Sequence, residues 1–67
     1  MSDRRPSRLL RLPAVSERVG LGQALIPRMA REGLFPRPVK ISKRATGWLE
    51  SEVEAFIEQR VAERDLV

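Results

Sequence analysis

Prolines constrain this chain more than any other residue type, because each one limits where a helix can lie. Pro36 and Pro38 exclude a helix from the middle of the chain, whereas Pro13 suits a first helical turn. Pro27 is the difficult one, since it lies within GLGQALIPRM, residues 20–29, where the apolar spacing is otherwise helical. A proline in a helix interior costs about 3 kcal/mol, because it lacks an amide donor and clashes with the carbonyl group four residues earlier.

In the first turn of a helix the cost of proline is much smaller, since the amides there have no intrahelical partner. The sequence therefore favours a second helix that starts late, near Leu25 or Ile26, after an open turn over residues 20–24. The alternative is a kinked helix that starts at Gly22. In both cases Gly33 is placed to end the helix.

A first helix is predicted over residues 13–19, because Leu12, Val15 and Val19 recur three and four residues apart and Gly20 follows them. Two short helices joined by a turn that contains glycine form the helix-turn-helix pattern. The pattern is weak on its own, since other small helical domains also show it.

A β-hairpin with a basic tip is predicted after the prolines. Val39–Ile41 alternates apolar and polar residues as a half-buried strand does, and residues 46–48 can return antiparallel to it. The connection over residues 42–47 contains Lys43 and Arg44 and is longer than the favoured two-residue turn, so the register of the hairpin stays open.

The clearest helical pattern predicts a last helix over residues 50–64. Its apolar stripe consists of Val53, Phe56, Ile57 and Val61. Ser51 and Glu54 match the S-x-x-E capping box at its start. Trp48, just before this helix, is expected to lie in the core together with Phe35 and Phe56.

The residue inventory excludes several functional classes. The chain has 67 residues, enough for one small domain, and contains no Cys, His or Tyr. A disulfide scaffold and the usual zinc sites are thereby excluded, and few groups remain that could act as a nucleophile or as a base near neutral pH. A glycine-rich phosphate loop is also missing, so we expect no enzymatic activity, no cofactor and no small-molecule ligand. No apolar run approaches the roughly 20 residues of a membrane span, so we expect a cytoplasmic protein without a membrane partner.

The net charge of +4 is unevenly distributed along the chain. Residues 1–44 carry 11 basic and 3 acidic side chains, a net +8, whereas residues 45–67 carry 2 basic and 6 acidic ones, a net −4. This asymmetry favours a polyanionic partner for the first two-thirds of the chain, with nucleic acid the leading candidate. An unevenly charged solvated surface is the alternative. Residues 1–8 show no periodicity and are expected to form a flexible basic arm before a single domain over residues 9–67.

The order of the predicted elements and several local strings resemble the AlpA family of small regulators encoded by phages and mobile elements. The resemblance covers about residues 9–64, and its most specific strings are REGLFPRPVKI (31–41) and RATGWLESEVEAFI (44–57). Shorter matches are Leu10-Arg11-Leu12-Pro13 with Val15, then Val19-Gly20-Leu21, Ile26 and Arg28.

This resemblance implies a fold that is mainly α with a small β-hairpin. The fold would be a winged helix-turn-helix, ordered helix–turn–helix–β-hairpin wing–helix, akin to the MerR-type DNA-binding domain and to excisionases. It also implies double-stranded DNA as the partner, with the second helix in a major groove and the wing on the adjacent backbone or minor groove.

Six residues are candidates for contact with DNA: Gln23, Arg28, Arg31, Lys40, Lys43 and Arg44. Arg28 and Arg31 could read guanine through bidentate hydrogen bonds, and Gln23 could read adenine unless it is confined to the turn. The three cations of the hairpin repel one another, which favours a partner that neutralises them, although a charged edge strand also resists aggregation. The family tends to have a serine-rich string at the start of the second helix. Here Gly22–Leu25 and Pro27 replace it, so the base contacts are expected to differ from those of the relatives.

The hypothesis that follows is a sequence-specific DNA-binding protein of a mobile element. It would act as an excisionase (a recombination directionality factor), as a transcriptional regulator or as both, on bent DNA in the nucleoid. Because one such domain has a small footprint, several copies are expected to bind cooperatively, head to tail, and a site-specific integrase is a possible further partner. The alternative is a protein–protein adaptor that keeps the fold without binding DNA and uses the apolar surface Leu25–Pro27.

Overall fold

The computed structural model describes residues 8–66, which form three helices and a three-stranded antiparallel sheet. In chain order the elements are β1 (Leu9–Leu10), α1 (Leu12–Val19), α2 (Leu25–Arg31), β2 (Val39–Ser42), β3 (Ala45–Leu49) and α3 (Glu50–Asp65). The predicted arm, residues 1–8, lies outside the described residues except for Arg8. No helix within residues 8–66 is long and apolar enough to cross a membrane.

The first helix is confirmed to within one residue. α1 begins at Leu12 and has Pro13 in its first turn, where the missing amide hydrogen has no acceptor to lose. At its end Gly20 adopts a left-handed conformation (φ 77°), which lets its N–H donate to the carbonyl oxygen of Ser16. The hydroxyl of Ser16 donates to the carbonyl oxygen of Leu21, so Ser16 forms hydrogen bonds with both Gly20 and Leu21, the first two residues after the helix.

The second helix starts late, as predicted from Pro27. The amides of Leu25 and Ile26 both donate to the carbonyl oxygen of Gly22, at 3.1 and 3.3 Å, and these bonds close the turn that leads into the helix. Pro27 is therefore the third residue of α2, where an amide hydrogen would have no intrahelical partner.

The predicted end of the second helix at Gly33 is also confirmed. Gly33 is left-handed (φ 78°), and its N–H donates to the carbonyl oxygen of Ala30 at 3.2 Å. The N–H of Leu34 donates to the carbonyl oxygen of Met29 at 2.8 Å. These two bonds form a Schellman motif, which satisfies the last carbonyl groups of α2 and turns the chain sharply out of the helix.

The strand β1 was not predicted from the sequence. It pairs antiparallel with β3 and places Leu10 opposite Trp48, and the amide of Glu50 extends the contact by donating to the carbonyl oxygen of Arg8 at 2.7 Å. The sheet order is β1–β3–β2, with β3 in the middle. The expected two-stranded hairpin is thus part of a three-stranded sheet, and the fold contains more β structure than predicted. Two residues are too few to show the alternation by which a strand is recognised.

The hairpin of β2 and β3 is confirmed, but its loop is shorter than expected. Ser42 pairs with Ala45, so only Lys43 and Arg44 lie in the loop. Neither has a positive φ, which excludes a type I′ turn, because both loop residues of that turn need φ above zero. A shift in register at Ile41 inserts one extra residue into β2, which allows the strands to close on a two-residue loop.

Trp48 lies at the centre of the core, as predicted. Its indole N–H donates to the carbonyl oxygen of Pro36 at 2.7 Å, which ties the connection before β2 to the middle strand. Phe35 packs edge-on against both Trp48 and Phe56, with ring centroids 6.4 and 4.7 Å apart. The buried hydrophobic residues are Leu10, Val15, Ile26, Ala30, Phe35, Trp48 and Val53.

The last helix is confirmed as α3, although two predicted details are wrong. Its N-cap is Leu49, which supplies no side-chain hydrogen bond, so Ser51 lies inside the first turn and no capping box forms. The apolar stripe stops at Ile57, because every described residue from 58 onward is exposed and Val61 is 43% exposed. Only the first half of α3 therefore packs on the core.

Gly47→Ala is expected to destabilise the fold, because β3 has no room for a methyl group there. A Cβ atom at this position would lie 3.0 Å from Cδ1 of Ile41 and 3.0 Å from the backbone oxygen of Leu10. We expect the free energy of unfolding to fall by about 1–3 kcal/mol in urea denaturation. Gly22→Ala is the matched control, since nothing lies within 4 Å of its Cβ position and its φ is not positive. Equal stability of the two variants would contradict this interpretation.

Candidate nucleic-acid interface

The helix α2 has a buried apolar side and an exposed basic side. Ile26 and Ala30, four residues apart, are buried against the core, while Arg28 and Arg31 are exposed to solvent. Gln23 is also exposed, but it lies in the turn before α2 and not on the helix. Of the three predicted α2-region contacts, the structure therefore brings only the two arginines onto the helix.

The two arginines of α2 differ in their charge environment. Nε of Arg28 lies 3.8 Å from Oε2 of Glu32, one turn further along, and both side chains are more than half exposed. Such exposed pairs contribute little stability, so Glu32 offsets part of the charge of Arg28 without fixing its position. Arg31 forms no ion pair within residues 8–66.

The hairpin contributes three more exposed cations. Lys40 lies on β2, and Lys43 and Arg44 form the loop. None of the three forms an ion pair with a described acidic side chain. Because the loop has only two residues, Lys43 and Arg44 are held close together at the end of the sheet, where a polyanion would relieve their repulsion.

Arg37 is a functional candidate that was not predicted. It lies in the connection from α2 to β2, between Pro36 and Pro38, and is exposed without an acidic partner in the described part of the chain. Arg37 and Arg31 line the same open groove, so Arg37 connects the basic side of α2 with the hairpin. The Pro-Arg-Pro string was available as a signal, because the two flanking prolines keep this arginine out of a helix or a central strand.

A different arginine, Arg18 of α1, is used inside the fold. Its guanidinium group forms an ion pair with the carboxylate of Glu54 and lies 3.9 Å from Oε2 of Glu50. Both glutamates belong to the first turns of α3, so this contact joins α1 to α3. Glu54, which the sequence assigned to a capping box, instead serves as the partner of Arg18.

The arginines of α3 are paired with acidic side chains on the same helix. Nη2 of Arg60 lies 2.6 Å from Oε2 of Glu63, and Nε of Arg64 lies 3.4 Å from Oδ1 of Asp65. Arg60 also lies over the ring of Phe56, 5.6 Å from its centroid. The basic residues of α3 are thus offset by neighbouring carboxylates, in contrast to those of α2 and the hairpin.

The described cations therefore fall into two groups. Those without an acidic partner inside residues 8–66 are Arg11, Arg31, Arg37, Lys40, Lys43 and Arg44. They occur between the start of α1 and the tip of the hairpin, and all are exposed. The same stretch of the structure contains no group of His, Cys, Asp and Glu side chains that could hold a metal ion. The arrangement presents positive charge to an extended anionic partner.

Arg18→Gln is expected to lower stability by about 1 kcal/mol, because Glu54 loses its counter-ion while its Oε2 is buried. The double variant Arg18→Gln with Glu54→Gln is expected to recover most of this loss, since it leaves no unpaired charge behind. Urea denaturation of the double-mutant cycle measures the coupling. Simple additivity of the two substitutions would show that the pair contributes nothing.

Comparison with known proteins agrees with the resemblance seen in the sequence. The model of the family described as Prophage CP4-57 regulatory protein (AlpA) matches residues 8–61. The chain is 33% identical over 66 residues to the DNA-binding transcriptional activator AlpA of Escherichia coli (strain K12), a match that covers 90% of this chain and 94% of that protein. It is 39% identical over 57 residues to uncharacterized protein ORF88 of Enterobacteria phage P4, which covers 85% of this chain and 65% of that protein. No solved structure matches the chain. Residues 8–61, which include α2, Arg37 and the hairpin, therefore make this chain a member of the AlpA family.

Proposed function

We propose that this protein is a DNA-binding regulator that uses α2 and the hairpin as the two parts of a winged helix-turn-helix. The observation that carries the proposal is the set of exposed cations without acidic partners between Arg11 and Arg44. The printed name of the Escherichia coli relative, a DNA-binding transcriptional activator, supports it. In this proposal the turn before Leu25 separates the two helices of the motif, and Val39–Leu49 forms the wing.

The proposed binding mode rests mainly on phosphate contacts. α2 has only seven residues, and its sequence-reading candidates are Arg28 and Arg31, each able to form a bidentate contact with guanine. Arg28 would first have to exchange Glu32 for the base. Gln23, in the turn, is better placed for the DNA backbone than for a base edge. Most of the affinity would then come from the arginines and lysines that neutralise phosphates, since this term dominates nonspecific binding to DNA.

Removal of the hairpin cations is expected to weaken the salt dependence of DNA binding. Each neutralised phosphate contributes about 0.9 to the slope of log Kd against log salt, so the triple variant Lys40→Gln, Lys43→Gln, Arg44→Gln should lose about 2.7 from the slope. A gel-shift or anisotropy titration on duplex DNA between about 50 and 200 mM salt measures it.

The control for this titration removes cations that already have acidic partners. Arg60→Gln with Arg64→Gln takes two guanidinium groups from α3, where Glu63 and Asp65 offset them. This control variant should keep the wild-type slope. Absence of any duplex binding by the wild-type protein at low salt would refute the proposed function itself.

We propose a role within a mobile element, as a transcriptional regulator, an excisionase or both. The short α2 and the proline in its first turn favour an architectural contribution, in which phosphate contacts, wing and bending of the DNA outweigh base readout. A site-specific integrase would be the protein partner in excision. Footprinting on attachment-site DNA with and without the cognate integrase separates the roles, because an excisionase should extend or stabilise the integrase footprint.

Self-association on DNA is the further part of this proposal. The acidic residues of α3 would face the basic arm or wing of the next copy, in a head-to-tail contact that can repeat along the DNA. Glu50, Glu54, Glu63 and Asp65 already have arginine partners within the chain. The described α3 carboxylates without an ion pair are Glu52 and Glu58, so these two are the candidates for the contact with a neighbouring copy.

Glu52→Gln with Glu58→Gln is therefore expected to reduce cooperativity on DNA that holds several sites, while binding to a single site stays the same or tightens slightly. Sedimentation of the protein–DNA complexes over a range of protein concentrations measures the assembly. Glu63→Gln, whose carboxylate pairs with Arg60, is the matched control and should behave as wild type. If the wild-type protein forms only isolated monomers on such DNA, the head-to-tail contact is excluded.

The adaptor alternative loses its proposed surface in this structure. Ile26, the central residue of Leu25–Pro27, is fully buried, and its two neighbours are half-buried. Leu25–Pro27 therefore offers no fully exposed apolar surface for a protein partner.

A further inference from the structure

An open groove of about 510 Å³ lies between α2 and the connection to the hairpin. It is lined by Pro27, Ala30, Arg31, Arg37 and Pro38. Pro27 lies in the first turn of α2, Ala30 and Arg31 lie in its last turn, and Arg37 and Pro38 belong to the chain that leads into β2. The groove therefore lies between the two parts of the proposed DNA-binding surface.

The side chains that line the groove are either cationic or apolar. Arg31 and Arg37 supply its side-chain hydrogen-bond donors, and neither has an acidic partner within residues 8–66. The remaining lining, Pro27, Ala30 and Pro38, is apolar and offers no side-chain donor or acceptor. A fitting occupant has an anionic group that accepts several hydrogen bonds and a compact, less polar part beside it.

The backbone around the groove is held in place. Proline rings fix φ at Pro27 and Pro38, and the carbonyl oxygen of Pro36 accepts the hydrogen bond from the indole of Trp48 at 2.7 Å. Arg37 thus extends from a constrained segment, and Arg31 from the last turn of a helix. Little backbone entropy would be lost when the two guanidinium groups bind an anion.

We propose that Arg31 and Arg37 bind one and the same phosphate of duplex DNA, with the adjoining deoxyribose against the rings of Pro27 and Pro38. This inference rests on the proposed function. It assigns Arg31 to the DNA backbone instead of a base edge, which leaves Arg28 as the base-reading candidate of α2, and it places the shared contact at the junction of α2 and the wing. Duplex DNA is favoured over a free phosphate compound, because the groove is open and further exposed cations precede and follow its lining residues along the chain, from Arg28 on α2 to Lys40 on β2. Arginine forms bidentate hydrogen bonds with phosphate oxygens, and two of them can share one phosphate.

The test is a double-mutant cycle read out as salt dependence. Arg31→Gln, Arg37→Gln and the double variant are titrated with a mixed-sequence duplex, since a phosphate contact does not depend on sequence. If the two arginines share a phosphate, each single variant loses less than about 0.9 from the slope of log Kd against log salt, and the double variant loses about 0.9 in total. The drop in affinity between about 50 and 200 mM salt then becomes roughly 3.5-fold smaller than in the wild type.

Two other results of the cycle overturn the inference. Contact with two separate phosphates predicts a loss of about 0.9 for each single variant and about 1.8 for the double variant. A double variant with the wild-type slope shows that the groove does not contact DNA. If the wild-type protein does not bind the duplex at all, the proposed function is wrong and the shared contact is wrong with it. If the wild-type protein binds but the slopes differ from those expected, only the shared contact is wrong.

Control variants show whether a change in the slope comes from the loss of a phosphate contact or from a change in the folded structure. Arg31→Lys with Arg37→Lys keeps both charges and should retain the wild-type slope, so a loss there would overturn the inference. Arg60→Gln with Arg64→Gln removes two cations elsewhere and should also retain it. The melting temperature of the Gln double variant should match the wild type, because both arginines are exposed.

A competition experiment decides whether DNA or a free phosphate compound occupies the groove. Inorganic phosphate is added at constant ionic strength to the wild-type protein, with and without duplex. No competition is expected, because a single open contact binds a free anion weakly. If phosphate displaces the duplex from the wild type but not from the double variant, the groove is a site for free phosphate and the assignment to DNA is wrong.

Discussion

The hydrogen bond from the indole of Trp48 to the carbonyl oxygen of Pro36 is the contact on which the rest of this small structure depends. It connects the middle strand of the sheet with the segment that leaves α2, twelve residues away in sequence. The ring of Phe35 packs on both Trp48 and Phe56, so the same place joins the sheet, the connection and α3. The segment that contains Arg37 is therefore held against the middle strand, because Pro36 directly precedes Arg37.

Local rules explain why much of the fold could be predicted from the sequence. The late start of α2 followed from one quantity, the cost of proline at different helix positions, and Gly33 ended the helix because left-handed backbone suits glycine. Trp48 and Phe35 were predicted as core residues because large aromatic side chains in a small domain have few other places to lie. These features depend on neighbours within a few residues, which a sequence displays directly.

Features that depend on distant parts of the chain were missed. β1 exists because Leu10 meets Trp48 across the sheet, and no pattern within two residues could indicate that pairing. Ser51 and Glu54 had the spacing of a capping box, but the direct passage from β3 into α3 moved the N-cap to Leu49, and Arg18 of α1 took the carboxylate. Arg37 joined the candidate interface only because the folded connection brings it beside the groove that Arg31 lines.

The small core and the unpartnered cations have a joint consequence for the lifetime of the protein. Seven hydrophobic side chains are buried within residues 8–66, while the exposed cations repel one another, so the folded state has little free energy in reserve. A polyanion that binds only the folded chain, at one hundred times its dissociation constant, stabilises it by about 2.7 kcal/mol. A chain bound to such a polyanion would then spend less time unfolded, and proteases would cleave it more slowly than the unbound chain. The lifetime of the protein would therefore rise with the fraction of it that is bound.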